Sequence, residues 1–155
     1  MDAELREIER RLRALEDDAA ISRLIASYGP LVDAADQDAV AALWAEDGTY
    51  DVEGWQMRSR EDVRAMVASP EHRGLVAGGC THFLGPVVTR VEGDEAVAVC
   101  ESVLVVHREG RFVVARAGAN RFELRRAPHG GWEIAHRTTH ALDGSPEAVA
   151  LLSLD

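Results

Sequence analysis

His82 stands in the run GGCTHFLGP, residues 78–86, where small residues lead into what reads as a β-strand. Buried strand positions favour Val, Ile and aromatic residues. An imidazole there is a hydrogen-bonded core group, a metal ligand or a proton carrier. Its reference pKa near 6.5 lets it act as a neutral base at pH 7. Asp33 is a second acid–base candidate, with a solvated carboxylate near a helix end as the plain alternative. On an ideal wheel Asp33 lies about 120° from Ile21, at the edge of an apolar stripe. A bend at Gly29-Pro30 would turn it inward. An Asp bonded to one ring nitrogen fixes the tautomer and stabilises the imidazolium. A second imidazole, His107, sits beside the turn REGR, where exposure at a strand end is the plain alternative.

Further polar candidates come from alternation. In residues 111–126, Phe112, Val114, Phe122 and Leu124 share one parity, and Arg111, Arg121, Glu123 and Arg125 the other. The even positions are therefore expected to face inward. That places Arg116, Gly118 and Asn120 on the inner face, where a buried Arg or Asn needs partners. They are satisfied core groups or the polar wall of a pocket. In the last strand Trp132, Ile134 and Leu142 share a parity and Arg137 has the other. A β-bulge is needed to aim Arg137 inward. Without one, His136, Thr138 or His140 faces the pocket. His136 and His140 have the spacing of a helical metal pair, but on a strand four residues span about 13 Å. No His/Cys/Asp cluster at ligand spacing is read from the sequence, and neither metal nor cofactor is expected.

The elements that must position these groups follow from periodicity. Leu5, Ile8, Leu12 and Leu15 mark an amphipathic helix at about 3–15. Asp17 or Asp18 can cap a second helix with the stripe Ile21, Leu24, Ile25, Tyr28 and Val32, bent at Gly29-Pro30. Asp36 can cap a short third helix carrying Val40, Leu43 and Trp44. A turn at Asp47-Gly48 opens a strand. Ser59 with Asp62 forms a capping-box pattern for a fourth helix. From residue 80 the period is two, with strands at about 80–91, 94–107, 111–126 and 131–142. Tight turns make them antiparallel neighbours. The result is an α+β chain, helices first, covering one face of a curved antiparallel sheet, as one domain over 1–155.

Composition excludes some partners. The net charge of −10 is unlike a phosphate-binding surface, so neither nucleic acid nor an anionic membrane is expected. No apolar run approaches the ~20 residues of a spanning helix, and the charged N-terminus lacks a signal peptide's apolar region. Cys80 and Cys100 read as buried free thiols in a reducing cytoplasm.

The phrases Y…D..D..A...LWAEDGTYDVEG, THFLGPVV and GGWEIAHR resemble the SnoaL-like branch of the nuclear transport factor 2-like superfamily, over roughly residues 15–143. The resemblance implies a cone-shaped α+β barrel enclosing a central pocket, and no metal. It implies that Asp33 and His82 form a catalytic dyad, that His107 is a second catalytic histidine, and that Tyr28 matches a catalytic tyrosine. It makes Asn120 a substrate-binding residue, with Gly118 in place of the family's serine. Val32 and Val52 replace two substrate-binding tyrosines. WEIAHR matches a segment ending in an active-site arginine, here Arg137. Arg116, Trp44 and Trp55 complete the expected substrate contacts.

The chemistry these residues support is removal of a proton next to a carbonyl. With loss of a hydroxyl it is a cofactor-independent, dehydratase-type elimination from a small, largely apolar carbonyl or hydroxy compound. Returning the proton elsewhere is isomerisation, and using the enolate as a nucleophile is polyketide-type cyclisation. A non-catalytic ligand-binding module would keep the same pocket. A homodimer or homotrimer is expected, through the outer sheet face at SVLVV or the narrow stripe of the first helix.

Overall fold

The computed structural model describes residues 2–155. Where two helices were expected, one runs unbroken: α1, Ala3–Asp33. No glycine or proline interrupts it near residue 17, and the acids expected to cap a new helix have other partners. Asp17 is buried and accepts from Arg126 Nη1 and Nη2 at 2.6 and 2.7 Å and from Trp132 Nε1 at 3.1 Å. The Arg126 hydrogen bond holds its carboxyl below the usual Asp range. Asp18 accepts from Thr89 Oγ1 at 2.5 Å. Pro30 lies inside the helix, which continues past it to Asp33.

Helix α1 has two apolar stripes. Ile21, Ile25, Tyr28 and Val32 are buried, whereas Leu5, Ile8, Leu12 and Leu15 are exposed. Their mean directions differ by about 150° around the helix. The outer stripe therefore faces away from the chain's own core.

Asp36 caps α2, Gln37–Ala41, by accepting from Ala39 N at 3.0 Å. Leu43 and Trp44 do not belong to it, because Trp44 opens β1, Trp44–Val52. A short β2, Trp55–Met57, pairs back on β1. Ser59 caps α3, Arg60–Ala68, as expected, but Asp62 Oδ2 accepts from Arg58 N at 2.8 Å rather than from the cap residue. Two unexpected helices, α4 (Pro70–Gly78) and α5 (Pro146–Ala150), each begin with a Ser cap followed by Pro.

The strand expected over 80–91 is two: β3, Cys80–Leu84, and β4, Val88–Glu92. Pro86 between them has no N–H for a ladder. Both pair with β5, Glu95–Arg108, which is followed by β6, Arg111–Arg126, and β7, Trp132–Ala141. The strand order is β2-β1-β7-β6-β5-β3, with β4 also on β5. The expected antiparallel sheet is in fact mixed, since β1 runs parallel to β7. The long excursion between them permits that pairing. Helices thus pack on a mixed, curved, unclosed sheet, the cone-type α+β architecture.

Two bulges set which side chains reach the interior. In β6 the partner of Leu104 is Arg116 and that of Val105 is Val114, so Ala115 is extra. Beyond it the alternation reverses. Asn120, Phe122 and Leu124 are buried as expected, but Phe112 is 75 % exposed and Val114 is exposed too. Their expected inward placement is wrong because the bulge turns them outward. In β7, Ile134 pairs with Leu124 and His136 with Glu123, so Ala135 is extra. The core between α1, α2, α3 and the concave face is built on Ile21, Ile25, Trp44, Phe122 and Ile134.

Candidate active site

Asp33 ends α1, and β3 passes directly beneath it. The approach requires Gly29, whose Cβ, if present, would lie 2.3 Å from the His82 carbonyl oxygen. At that distance Asp33 grips β3 twice. His82 Nδ1 lies 2.6 Å from Asp33 Oδ1, and the His82 amide donates to Oδ2 at 2.8 Å. Because a carboxylate only accepts, Nδ1 carries the proton and Nε2 of the neutral ring is free to accept one. Burial pushes the His82 pKa below its usual 6.5 against the opposing pull of Asp33, with His72 and Arg137 adding to the downward shift. The ring is therefore neutral at pH 7.

A residue that the sequence reading missed supports this pair. His72 of α4 is buried and its Nε2 donates to the Val32 carbonyl at 2.8 Å. It thus satisfies an end-of-helix carbonyl next to Asp33, and its ring centroid lies 6.0 Å from that of His82. The Ser69-Pro70 pair that starts α4 is the signal that places it.

Cys80 Sγ lies 3.6 Å from Asp33 Oδ1. Ligand atoms of Asp33, Cys80 and His82 fall within 4.8 Å of one another, so folding assembles a cluster that the sequence did not show. Its donors suit hydrogen bonding. Both carboxylate oxygens are committed to His82, and burial and Asp33 push the Cys80 thiol up to about 11, which keeps it protonated at neutral pH. Cys100 is buried, and both thiols are free.

The opposite wall is made by β6 and β7. The bulge at Ala135 reverses the alternation of β7 and turns Arg137 inward. His136 and His140 lie on the other face. His136 sits between Thr49 Oγ1 at 2.5 Å and Thr138 Oγ1 at 2.9 Å, and His140 bonds the Ala141 carbonyl. Arg137 is 3 % exposed. Its guanidinium carbon lies 4.3, 4.6 and 4.9 Å from the ring centroids of Tyr28, Tyr50 and Phe122. Nη2 donates to Asn120 Oδ1 at 2.8 Å, whereas Nε and Nη1 have no hydrogen-bond partner among the described residues.

Asn120 is fully buried, and its side chain is bonded on every side. Nδ2 donates to Ser102 Oγ at 2.9 Å, and Oδ1 accepts from Thr139 Oγ1 at 2.7 Å as well as from Arg137. It lies behind the pocket wall and holds Arg137, rather than lining the cavity as expected. A Cβ on Gly118 would meet Ser102 Oγ at 3.1 Å, so the missing family serine leaves room for a hydroxyl from β5.

Between the walls lies a cavity of about 160 Å³ lined by Tyr28, Tyr50, His82, Arg116, Arg137 and apolar side chains including Val52, Met57, Met66 and Leu84. It is close in size to the roughly 150 Å³ space that accepts benzene in a protein core. Burial and the neighbouring Tyr50 keep the Tyr28 phenol well above its usual pKa, so it is a donor at neutral pH. Trp55, 58 % exposed, also lines the cavity. Arg116 Nη2 lies 3.1 Å from Glu53 Oε1.

Two further expected site residues also lie outside the cavity lining. Trp44 is in the core behind Tyr28, with ring centroids 6.0 Å apart. His107 has the opposite parity to Leu104, the inward partner of His82, and lies exposed on the outer face. Its ring packs on Phe112 at 5.0 Å. The β5 strand carries no extra residue that would turn it inward, so the cavity has no second catalytic histidine from this position.

The SnoaL-like domain family model matches residues 13–138. The chain belongs to that family. Members of the SnoaL-like family include dehydratases, isomerases and cyclases. A crystal structure of an NTF2-like protein with a cystatin-like fold from Novosphingobium aromaticivorans is similar at 45% identity and TM-score 0.93, covering 96% of this chain and 97% of that one. A Mycobacterium tuberculosis protein of unknown function is similar at 23% identity and TM-score 0.74, covering 90% and 78%. A Catenulispora acidiphila protein in complex with S-DNPA is similar at 18% identity and TM-score 0.71, covering 83% and 94%. The last two share the fold. Comparison with curated proteins finds no match. No helix among the described residues is long and apolar enough to cross a membrane.

Proposed function

We propose that this SnoaL-like domain is a cofactor-independent, dehydratase-type lyase for a small carbonyl or hydroxy compound. The observation that carries the reading is the 2.6 Å contact between Asp33 and a neutral His82 at the cavity wall. His82 Nε2 removes a proton from carbon next to a carbonyl. Asp33 holds the ring and stabilises the imidazolium that forms. Tyr28 donates a hydrogen bond to the carbonyl oxygen as negative charge builds there. In an elimination the C–H bond electrons form the new double bond, the C–O bond breaks, and hydroxide leaves as water with a proton from the His82 imidazolium or Tyr28. His107 takes no part.

One observation favours isomerisation as the second reading. Among the described residues lining the cavity, His82 is the only imidazole. A single base that takes a proton and returns it to another carbon performs an isomerisation without a separate acid.

The test is proton NMR in D₂O with small cyclic ketones and their β-hydroxy derivatives. The expected result is water loss, or exchange of the α-proton, that falls about 10²–10⁴-fold in His82→Gln while the melting temperature holds. Elimination marks the lyase, and exchange with migration of a double bond marks the isomerase. Binding without either reaction supports the ligand-binding module and overturns the enzyme.

A further inference from the structure

Arg137 is a buried cation without a counter-ion among the described residues. Among the described residues no carboxylate lies within ion-pair distance of it, although other buried or half-buried arginines have one: Arg116 faces Glu53, and Arg126 faces Asp17. Asp33, the carboxylate of the dyad, directs both oxygens to His82. Nε and Nη1 carry three of the guanidinium's five N–H bonds, and neither atom has an acceptor. A guanidinium does not shed its proton in a protein, so this site cannot neutralise itself as a buried lysine can. Three aromatic faces partly compensate. Their ring faces supply no opposite charge, and among the described residues no acceptor meets Nε or Nη1. Both are missing at one point, on a side chain that lines the cavity.

From this we infer that the cavity's ligand is a small organic monoanion of single-ring size, whose carboxylate or other oxyanion completes the shell of Arg137. A neutral carbonyl would occupy an N–H but leave the charge uncompensated. An anion satisfies both. Tyr28, Tyr50 and the methionines accept the apolar ring, and about 160 Å³ limits it to roughly one ring inside the wall. The inference rests on the proposed pocket reading and specifies its substrate class: the negative charge is present on arrival, as a recognition handle separate from the carbon that reacts at His82.

The test uses benzoate and benzamide, which share a shape and differ in charge, in titration calorimetry on the full chain at pH 7.5. The expected result is tenfold to a hundredfold tighter binding of benzoate. The preference should persist in His82→Gln, which separates it from the proton-transfer reading, and should vanish in Arg137→Met. Equal binding of the two rings by the wild-type protein, tighter binding of benzamide, or no binding of either at millimolar concentration would each overturn the inference without any variant. Loss of the preference in His82→Gln would also overturn it, because the anion would then be held by the imidazole.

Discussion

Gly29→Ala sets two energies against each other. Alanine is favoured over glycine inside a helix by about 1 kcal/mol. At residue 29, however, the new methyl would lie 2.3 Å from the His82 carbonyl oxygen, on the backbone of β3. A tolerable carbon–oxygen contact is longer by about 1 Å, so α1 and β3 must separate by that amount. Overpacking of this kind costs about 1–3 kcal/mol, which exceeds the helix gain and leaves a net loss of up to about 2 kcal/mol. The same movement acts on the dyad. Adding about 1 Å to the 2.6 Å contact between His82 and Asp33 takes it past a hydrogen bond. Displacement on that scale can cost 10²-fold in rate. Gly74→Ala is the control, since its methyl meets nothing within 4 Å. Thermal melts should show Gly74→Ala gaining stability, by about 2–4 °C for 1 kcal/mol in a chain of this size, and Gly29→Ala losing it. Nitrogen-15 NMR of the imidazole should show the Nδ1–H form of His82 in the wild type and in Gly74→Ala, and a mixed tautomer in Gly29→Ala. If Gly29→Ala melts higher than the wild type with its Nδ1–H form intact, the close approach of helix and strand is wrong.

Two other outcomes follow from the same contacts. Since the folded-state pKa of His82 lies below its unfolded value of 6.5, the unfolded chain takes up this proton first. The contribution of this group to stability is present above pH 6.5 and is lost as pH falls toward the depressed value; the acid limb of any His82-dependent rate likewise lies below 6.5. Asp33→Asn removes the group that opposes burial, so NMR titration should find the His82 pKa lower still, and an upward shift would contradict the assigned causes. On β6, Leu124→Ala should cost about 2–5 kcal/mol and Phe112→Ser no more than about 0.5 kcal/mol in denaturant melts. Comparable losses would mean that no bulge separates the two residues.

Legibility in the sequence followed the range of the interaction. Caps depend on neighbours three residues away, and Ser59 and Asp36 were readable as such. The long strands β5, β6 and β7 were readable from alternation, whereas the strand read over 80–91 is broken at Pro86. Asp33 and His82, 49 residues apart, share no local signal, and their pairing came through family resemblance. Expectations failed where a distant partner decided the outcome. Asp17 resembles a cap until Arg126 and Trp132 are brought to it. The parallel pairing of β1 with β7 and the extra residue at Ala115 are properties of register, which composition does not reveal. His72 was missed for a plainer reason, because the Ser69-Pro70 helix start was there to be read.

The pairing of one residue, the bulged Ala135, is decisive for the chemistry of this pocket. Strand β7 carries two complete sets of polar side chains, Arg137 and Thr139 on one face and His136, Thr138 and His140 on the other. If Ala135 instead paired regularly opposite Glu123, the bulge would be lost, the rest of the strand would slide by one place, and the two sets would exchange faces. The caged guanidinium would face solvent and imidazoles would enter the cavity. A lineage could thus trade a cationic pocket for a histidine-lined one without changing the identity of any functional residue.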